Sequence, residues 1–255
     1  MGVVNVTPDS FSDGGRYFEA KAAVAHARRL VDEGADLVDI GGESTRTGAA
    51  PVAEEEELRR VLPVLEKLHD IPVSVDTRRP AVMRAVLEAG ASMINDVQAL
   101  AARGALEAVA QSRCAVCLMH KKGEPATMQQ DPHYEDVVGE VKAFLKEAVA
   151  RAKGAGIALG RIVVDPGFGF GKTAQHNLQL LRSLSRFEDL EAPLLAGLSR
   201  KSTLGKLTGR PVDERLAGSL AMALLALLGG ARILRVHDVK ETKDVIAVWR
   251  AFRHG

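Results

Sequence analysis

Short apolar segments alternate with longer amphipathic segments along the whole chain, and this alternation limits the possible folds more than any other feature. The short segments are rich in Val, Ile and Leu and lack regular polar alternation, as expected for parallel strands covered on both faces. We predict eight strands, at residues 2–6, 37–41, 72–76, 92–96, 115–119, 162–166, 194–198 and 233–237. The segments between them have helical character, for example in 54–69, 134–153 and 212–229.

Eight strand-helix units in 255 residues give about 32 residues per unit, the size expected for a (β/α)₈ barrel. The sequence therefore predicts an α/β fold: a single TIM barrel with its active site at the C-terminal ends of the strands. A doubly wound open sheet is the alternative, but the loop TPDSFSDGG after the first strand lacks the G-x-G-x-x-G pattern. No linker or low-complexity tract interrupts the chain, so we expect residues 1–255 to form one domain.

Charge and composition narrow the class of protein further. The chain has 34 basic and 33 acidic residues, a net charge of +1, which gives no overall field to hold a nucleic acid. Residues 1–10 lack the features of a signal peptide, and the apolar run 220–228 is too short to span a bilayer, so we expect a cytoplasmic protein that does not enter membranes. Cys114 and Cys117 lie in a predicted strand, where positions three apart face opposite ways, which favours buried thiols over a redox pair.

Polar residues follow nearly every predicted strand. In a parallel barrel the C-terminal strand ends share one rim, so these residues are expected to converge on one pocket. A single Asp or Asn after a strand is often only a helix N-cap, but caps explain eight such places poorly. The residues are Asn5, 41–46, Asp76, Asn95, Asp96, Met119, His120, Asp165, 199–201, Arg235 and His237.

Four of these residues suit recognition of a planar heterocycle. The carboxylates of Asp76 and Asp165 and the amide of Asn95 offer the acceptors and donors that read ring N–H and C=O groups, and Lys201 adds a cation. Each residue also has a simpler interpretation when it is considered alone. Asp76 could be a helix N-cap, and Lys201 could be a solvated lysine in a loop.

Three further residues suit a phosphate or diphosphate. Arg235 and His237 share one face of the last strand, and barrels often bind phosphate near strands seven and eight. Asn5, on the neighbouring first strand, is a possible oxygen ligand for Mg²⁺. The alternative for His237 is a buried structural histidine.

Two loops, 7–16 and 42–51, are rich in Gly, Ser, Thr and Asp and are expected to close over a substrate, with two exposed connections as the alternative. The segment GFGFGKT at 167–173 ends like a phosphate-binding P-loop, but Pro166 occupies the first glycine position, so we do not assign it that role.

Eight segments of the chain, in this order, resemble the dihydropteroate synthases. They are NVTPDSFSDGG (5–15), DIGGESTR (39–46), VSVDT (73–77), INDV (94–97), MH with G-x-PATMQ (119–129), DPGFGFGKT (165–173), GLSRKS (197–202) and RVHD (235–238). The resemblance implies a transferase of folate biosynthesis that joins (7,8-dihydropterin-6-yl)methyl diphosphate to 4-aminobenzoate. It also implies Mg²⁺, a homodimer and competition by sulfonamides.

The resemblance also implies roles for individual residues. The expected catalytic residues are Asp76, Asp165, Lys201, Arg235 and His237. The pterin would be held by Asp76, Asn95, Asp165 and Lys201, with Met119 nearby, and the diphosphate and Mg²⁺ by Asn5, Arg235 and His237. Thr45 and Arg46 would approach the diphosphate, Asp13 would support the metal site, and the aminobenzoate site would comprise Phe170, Lys201, Ser202, Phe11 and Pro8.

Two other functions remain open at this point. One is a pterin-dependent methyltransferase that passes a methyl group from a folate to a corrinoid protein, and the other is a non-catalytic pterin-binding barrel. Loop 7–16 and the segment 199–201 favour the synthase. The sequence departs from the family at Thr47, where proline is common. Family members also usually carry a short extension before the first strand, which leaves two expectations: the bottom of the barrel is less covered here, or Met1 is not the native start.

Overall fold

The computed structural model describes residues 1–6, 16–43, 52–124 and 127–254, and in it strands and helices alternate along the chain. The strands are β1 (Gly2–Asn5), β2 (Val38–Gly41), β3 (Val73–Asp76), β4 (Met93–Asp96), β5 (Ala115–Met119), β6 (Ile162–Asp165), β7 (Leu195–Ala196) and β8 (Ile233–Leu234). The helices are α1 (Arg16–Asp32), α2 (Glu54–Leu65), α3 (Pro80–Glu88), α4 (Ala105–Ala110), α5 (Val137–Gly154), α6 (Ala174–Arg182), α7 (Ser202–Thr208), α8 (Leu216–Leu228) and α9 (Val239–His254).

The eight strands close into a parallel barrel, which confirms the predicted (β/α)₈ fold. Strands β1 to β6 pair in sequence order, and β7 pairs with β8. A bridge between Val164 and Leu194 joins β6 to β7, and one between Gly2 and Val236 joins β8 to β1. The register places the last residues of β1, β2 and β3 side by side, since Asn5 lies opposite Gly41 and Gly41 opposite Asp76.

Alternation along the strands divides apolar from polar side chains. One set of positions, which includes Val4, Ile40 and Val75, is fully buried in the main core between the strands and the helices. The other set faces the barrel interior, where its lower part is a small apolar cluster of Met93, Cys117, Val163 and Leu195. Above that cluster the inward positions include Asp39, Asn95 and Asp165, so the strand ends surround a mouth with several polar groups.

The last two strands are shorter than the sequence predicts, and the predicted helices are bounded differently, since α2 ends at Leu65 and α5 begins at Val137. The last two strands comprise only Leu195–Ala196 and Ile233–Leu234, and α8 covers Leu216–Leu228. The β7–β8 pair is joined to β6 and to β1 by these single bridges rather than by continuous ladders of hydrogen bonds. A 3₁₀ turn at Val212–Glu214 occupies the first part of the predicted helix 212–229.

The prediction for the two cysteines is confirmed. Cys114 and Cys117 are both buried free thiols, and they belong to the outer core and the barrel interior respectively, as their spacing predicted. Within the described ranges, no helix combines the length and apolar character needed to cross a membrane.

Candidate active site

Arg235 links three strands at the mouth of the barrel. Its Nε donates to Asp39 Oδ2 at 2.6 Å, and its Nη2 donates to Asp76 Oδ2 at 3.3 Å. The amide nitrogen of Asn95 donates to the same Asp39 oxygen at 3.2 Å. Strand ends that are far apart in sequence therefore form one charged network, as the shared rim predicted. Asp76 is not a helix cap, because the residue preceding α3 is Arg79.

The network leaves buried acceptors unused. Asp39 Oδ1 and Asn95 Oδ1 are buried and have no hydrogen-bond partner among the described residues. Asp39 is fully buried and Asn95 is 5% exposed. A buried oxygen without a donor costs free energy, so such atoms mark a place where a ligand or water completes the bonding.

Burial and neighbouring charges shift the ionisation of this cluster. Burial, together with the negative charge of Asp39, raises the pKa of Asp76 to about 7. Burial alone would lower the pKa of Arg235, but the charges of Asp39 and Asp76 outweigh it and keep that pKa above its ordinary value. The guanidinium therefore stays charged, while the Asp76 carboxyl can change its charge near neutral pH.

Asp165, Lys201 and Phe170 form a second part of the mouth. Asp165 Oδ1 accepts from the backbone N–H of Gly167 at 2.7 Å, and burial raises its pKa. Lys201 Nζ lies 4.2 Å from the centroid of the Phe170 ring. Burial and the nearby charge of Arg235 lower the pKa of Lys201 to about 8. This part of the mouth combines an anion, a cation and an aromatic face.

His237 is held by a serine from the neighbouring strand end. Its Nδ1 lies 3.0 Å from Ser199 Oγ, and its backbone N–H donates to the same oxygen at 3.2 Å. Burial and the charges of Arg235 and Arg200 lower the pKa of His237 to about 4. The imidazole is therefore neutral at pH 7, and with Nδ1 engaged, Nε2 is its remaining polar atom.

The other predicted site residues fall into two groups. Asn5 ends β1 and is half-buried, Met119 ends β5 and is buried, and Ser202 is exposed at the first position of α7. The remaining candidates lie outside the described residues, and they are Pro8, Phe11, Asp13, Thr45 and Arg46.

Glu43 lies at the centre of a cluster of ion pairs and hydrogen bonds near the end of β2. Glu43 accepts from Arg79 at 2.9 Å, from Arg78 at 3.2 Å and from the backbone N–H of Val52 at 3.0 Å. Arg79 also pairs with the buried carboxylate of Glu57. Although burial acts in the opposite direction, the hydrogen bonds from Arg79 and Arg78 lower the pKa of Glu43 to about 2.

Sequence reasoning missed Asp39 as a site residue. It lies inside β2 rather than after it, so the search for polar residues that follow strands passed over it. The signal was nonetheless present, because an Asp within the buried run VDIG needs a buried partner. Ser199 was noted at its strand end but was given no role, and the structure places it under His237.

The fold and this mouth define a class: a barrel enzyme whose strand ends bind a polar heterocycle beside an anion. The family model for pterin binding enzymes matches residues 1–237. The chain is 50% identical over 254 residues to the dihydropteroate synthase of Escherichia coli (strain K12), covering 98% of this chain and 90% of that protein. The chain belongs to the pterin-binding enzymes and, among them, to the dihydropteroate synthases.

Solved structures agree with this assignment. The Xanthomonas albilineans dihydropteroate synthase with 4-aminobenzoic acid matches with a TM-score of 0.95 and 56% identity, covering 100% of this chain and 93% of that one. The same enzyme in complex with 7,8-dihydropteroate matches with a TM-score of 0.91 and 54% identity, with the same coverage. The Yersinia pestis dihydropteroate synthase with a sulfonamide drug has a TM-score of 0.95 and 48% identity, covering 100% of this chain and 94% of that one.

Proposed function

We propose that this chain condenses (7,8-dihydropterin-6-yl)methyl diphosphate with 4-aminobenzoate and releases diphosphate and 7,8-dihydropteroate. The observation that carries the proposal is the network at the mouth, in which Arg235 joins Asp39 and Asp76 while buried acceptors beside it remain unused. A pterin presents several ring N–H groups, which match these acceptors.

The carboxylates and the amide have the roles of reading and stabilising the pterin. Asn95 Oδ1 and the carboxylates of Asp76 and Asp165 accept from ring N–H groups, and Lys201 donates to a ring acceptor. As the C–O bond to the diphosphate breaks, positive charge develops on the methylene carbon and spreads into the ring. Ionised Asp76 and Asp165 stabilise that charge at fixed positions.

Arg235 and His237 have the role of stabilising the leaving group. Diphosphate takes the electron pair of the broken C–O bond, so its negative charge grows during the step. The guanidinium of Arg235 and the free Nε2–H of a neutral His237 donate to its oxygens. The amino nitrogen of 4-aminobenzoate then forms the C–N bond and loses one proton, which completes the balance.

Mg²⁺ fits this site as an ion bound mainly by the diphosphate and water. Among the described residues no group of three His, Cys, Asp or Glu side chains is placed to hold a metal ion, whereas Mg²⁺ commonly keeps several waters and uses substrate phosphates as ligands. The amide oxygen of Asn5, at the end of β1 beside Gly41, would be its ligand from the chain. Mg²⁺ would neutralise part of the diphosphate charge.

The 4-aminobenzoate site lies beside the pterin site, on the wall formed by Phe170, Lys201 and Ser202. The Phe170 ring offers an apolar face and Lys201 a cation close to it. Phe11 and Pro8 complete this site in the proposal. Because sulfonamides share the shape and the amino group of 4-aminobenzoate, we expect them to compete for this wall.

Release of diphosphate tests the function. The protein is mixed with the pterin diphosphate, 4-aminobenzoate and Mg²⁺, and both diphosphate and 7,8-dihydropteroate are measured. We expect equal amounts of the two products, and none when the pterin diphosphate is omitted. Binding of pterin without release of diphosphate would favour the non-catalytic barrel, and methyl transfer from a methylated folate would favour the methyltransferase.

A homodimer formed through α8 and α9 is also part of the proposal. Apolar side chains on these helices are strongly exposed, including Leu225 at 50%, Leu228 at 55% and Phe252 at 79%, and exposed apolar groups of this kind favour association. Light scattering of the protein in solution should give about twice the mass of one chain. The cytoplasmic location stays a prediction.

A further inference from the structure

Lys172 is a buried lysine behind the aminobenzoate wall, and the mechanism above does not use it. Its side chain is almost fully buried. Its Nζ lies 2.9 Å from Gly167 O, 3.0 Å from Phe170 O and 2.9 Å from His120 Nδ1. Three neutral acceptors thus match the three hydrogens of an ammonium. No carboxylate of the described residues forms an ion pair with it.

The two carbonyls belong to the turn between β6 and α6. Gly167 and Gly171 have φ of +69° and +63°, a region that glycine enters without strain. A Cβ on Gly167 would lie 1.9 Å from the carbonyl oxygen of His120, so the turn presses directly against the end of β5. With Lys172 removed, Phe170 O would lose its donor, and Gly167 O would keep only the backbone N–H of Phe170 at 3.1 Å.

The opposite side of the same turn forms the wall of the active site. The Gly167 N–H donates to Asp165, and Phe170 lies against Lys201. Gly169 also packs against the Lys201 side chain, since a Cβ there would lie 3.2 Å from Lys201 Cδ. A shift of the turn would therefore move Phe170 and remove support from both charged groups.

We propose that Lys172, together with His120, is a positioning residue that holds this turn so that Phe170 and Lys201 present the 4-aminobenzoate site. The inference rests on the proposed function, because the roles of Phe170 and Lys201 are assigned there. Lys172 contacts no reacting atom and acts only through the turn.

The arrangement holds the turn in either charge state of the lysine. Burial lowers the pKa of Lys172 to about 7, with Asp165 opposing the shift and Lys201 adding to it. A neutral amine still carries two hydrogens, enough for the two carbonyls. Burial and the charge of Lys172 lower the pKa of His120 to about 3, so the imidazole is neutral.

Hydrogen exchange of the substrate-free protein tests the structural half of the inference. Lys172→Met keeps the length of the side chain and removes its donors, and Lys206→Met makes the same change at an exposed position of α7. We expect the amides of 167–171 to exchange at least about tenfold faster in Lys172→Met, and Lys206→Met to match the wild type. Unchanged exchange in Lys172→Met would overturn the inference.

Steady-state kinetics test the functional half. A displaced Phe170 should raise the KM for 4-aminobenzoate about tenfold in Lys172→Met, with a smaller change in the KM for the pterin diphosphate. In a Phe170→Ala background the Lys172→Met change should cost at least about threefold less, because the ring that the turn positions is already absent. Equal costs in both backgrounds would show that Lys172 only stabilises the turn, and the inference would be wrong.

A conservative variant guards against misfolding. Lys172→Gln keeps two N–H donors on a shorter side chain and should recover part of both the exchange protection and the affinity for 4-aminobenzoate. Failure of the proposed function is visible separately, since the wild type would then release no diphosphate. Failure of the positioning role requires an active wild type and a Lys172→Met variant with unchanged KM for 4-aminobenzoate.

Discussion

Arg235 and Lys172 are both cations near the mouth of the barrel, the first half-buried and the second almost fully buried, but their partners are of opposite kinds. Arg235 donates to two carboxylates, Asp39 and Asp76. Lys172 donates to two backbone carbonyls and an imidazole. The pKa of Arg235 consequently stays above its ordinary value, whereas burial lowers the pKa of Lys172 to about 7.

The two cations differ in whether the hydrogen-bonding groups around them have partners, and this indicates which of them lies at a ligand-binding site. Beside Arg235, Asp39 Oδ1 and Asn95 Oδ1 have no partner among the described residues, so binding of a donor-rich ring would complete that network. Around Lys172 every hydrogen of the ammonium already has an acceptor. Burial of a charge is thus common to a binding group and a structural group, and the unused acceptors distinguish them.

Replacement of Arg235 should have the largest effect. Arg235→Ala removes the cation for the leaving diphosphate and leaves Asp39 and Asp76 close together without compensation. We expect kcat/KM for the pterin diphosphate to fall by about 10³-fold, whereas Lys172→Met should act chiefly on 4-aminobenzoate and lower kcat/KM for that substrate by about tenfold. Arg232→Ala, at an exposed position just before β8, is the matched control, and circular dichroism should show a folded barrel. A larger loss from Lys172→Met than from Arg235→Ala would reverse the comparison.

Local sequence patterns predict most of the strands that position both regions. Six of the eight predicted strands match the structure to within one residue at each end, because each apolar run is bounded by turn residues and helix signals. Asp76, Asn95 and Asp165 were located at the rim from strand ends alone. Parallel register then brings them together, since every strand is aligned with its neighbours.

Long-range pairing is what the sequence does not predict. Asp39 and Arg235 are 196 positions apart, and no local pattern says which rim carboxylate meets the guanidinium. Lys172 stands in a segment that resembles a phosphate-binding loop, yet its ammonium folds back onto its own turn and onto His120, 52 positions earlier. The chemistry of each cation depends on contacts that only the closed barrel creates.

The pH dependence of kcat/KM should have the next largest effect and should respond to changes beside Arg235 but not to changes at Lys172. Because the pKa of Asp76 is about 7, its ionised fraction in the free enzyme increases about tenfold per pH unit below that value. We expect kcat/KM for the pterin diphosphate to rise with pH up to about 7 and to fall above about 8, where Lys201 loses its proton. Asp76→Asn should abolish the rising limb, and Lys172→Met should retain it. If Lys172→Met lost the rising limb and Asp76→Asn kept it, the ionisation would belong to the turn around Lys172 and the assignment to Asp76 would be wrong.

The magnesium requirement should depend only on the Arg235 side of the mouth. Asn5→Ala removes the proposed amide ligand, so the Mg²⁺ concentration for half-maximal activity should rise about tenfold. Asn177→Ala provides the comparison, because the side-chain oxygen of Asn177 accepts a hydrogen bond from the backbone N–H of Gly169, in the turn that Lys172 holds. Its magnesium requirement should equal that of the wild type. A Mg²⁺ titration of diphosphate release measures both, and equal shifts in the two variants would count against a metal site at Asn5.

The smallest effect should appear in stability. The pKa of Asp76 is raised from 3.8 to about 7 in the folded protein, so an unfolded chain releases this proton at lower pH. The free energy of unfolding therefore decreases as pH rises toward 7 and stays at the lower value above it. Asp76→Asn should raise Tm at pH 8 by about 2–4 °C and less at pH 5, and exposed Asp36→Asn should leave Tm unchanged. Lys172→Met should instead lower Tm, because Phe170 O loses its donor and Gly167 O keeps only the backbone N–H of Phe170. An equal rise at both pH values for Asp76→Asn would mean that its effect comes from packing rather than from the buried charge.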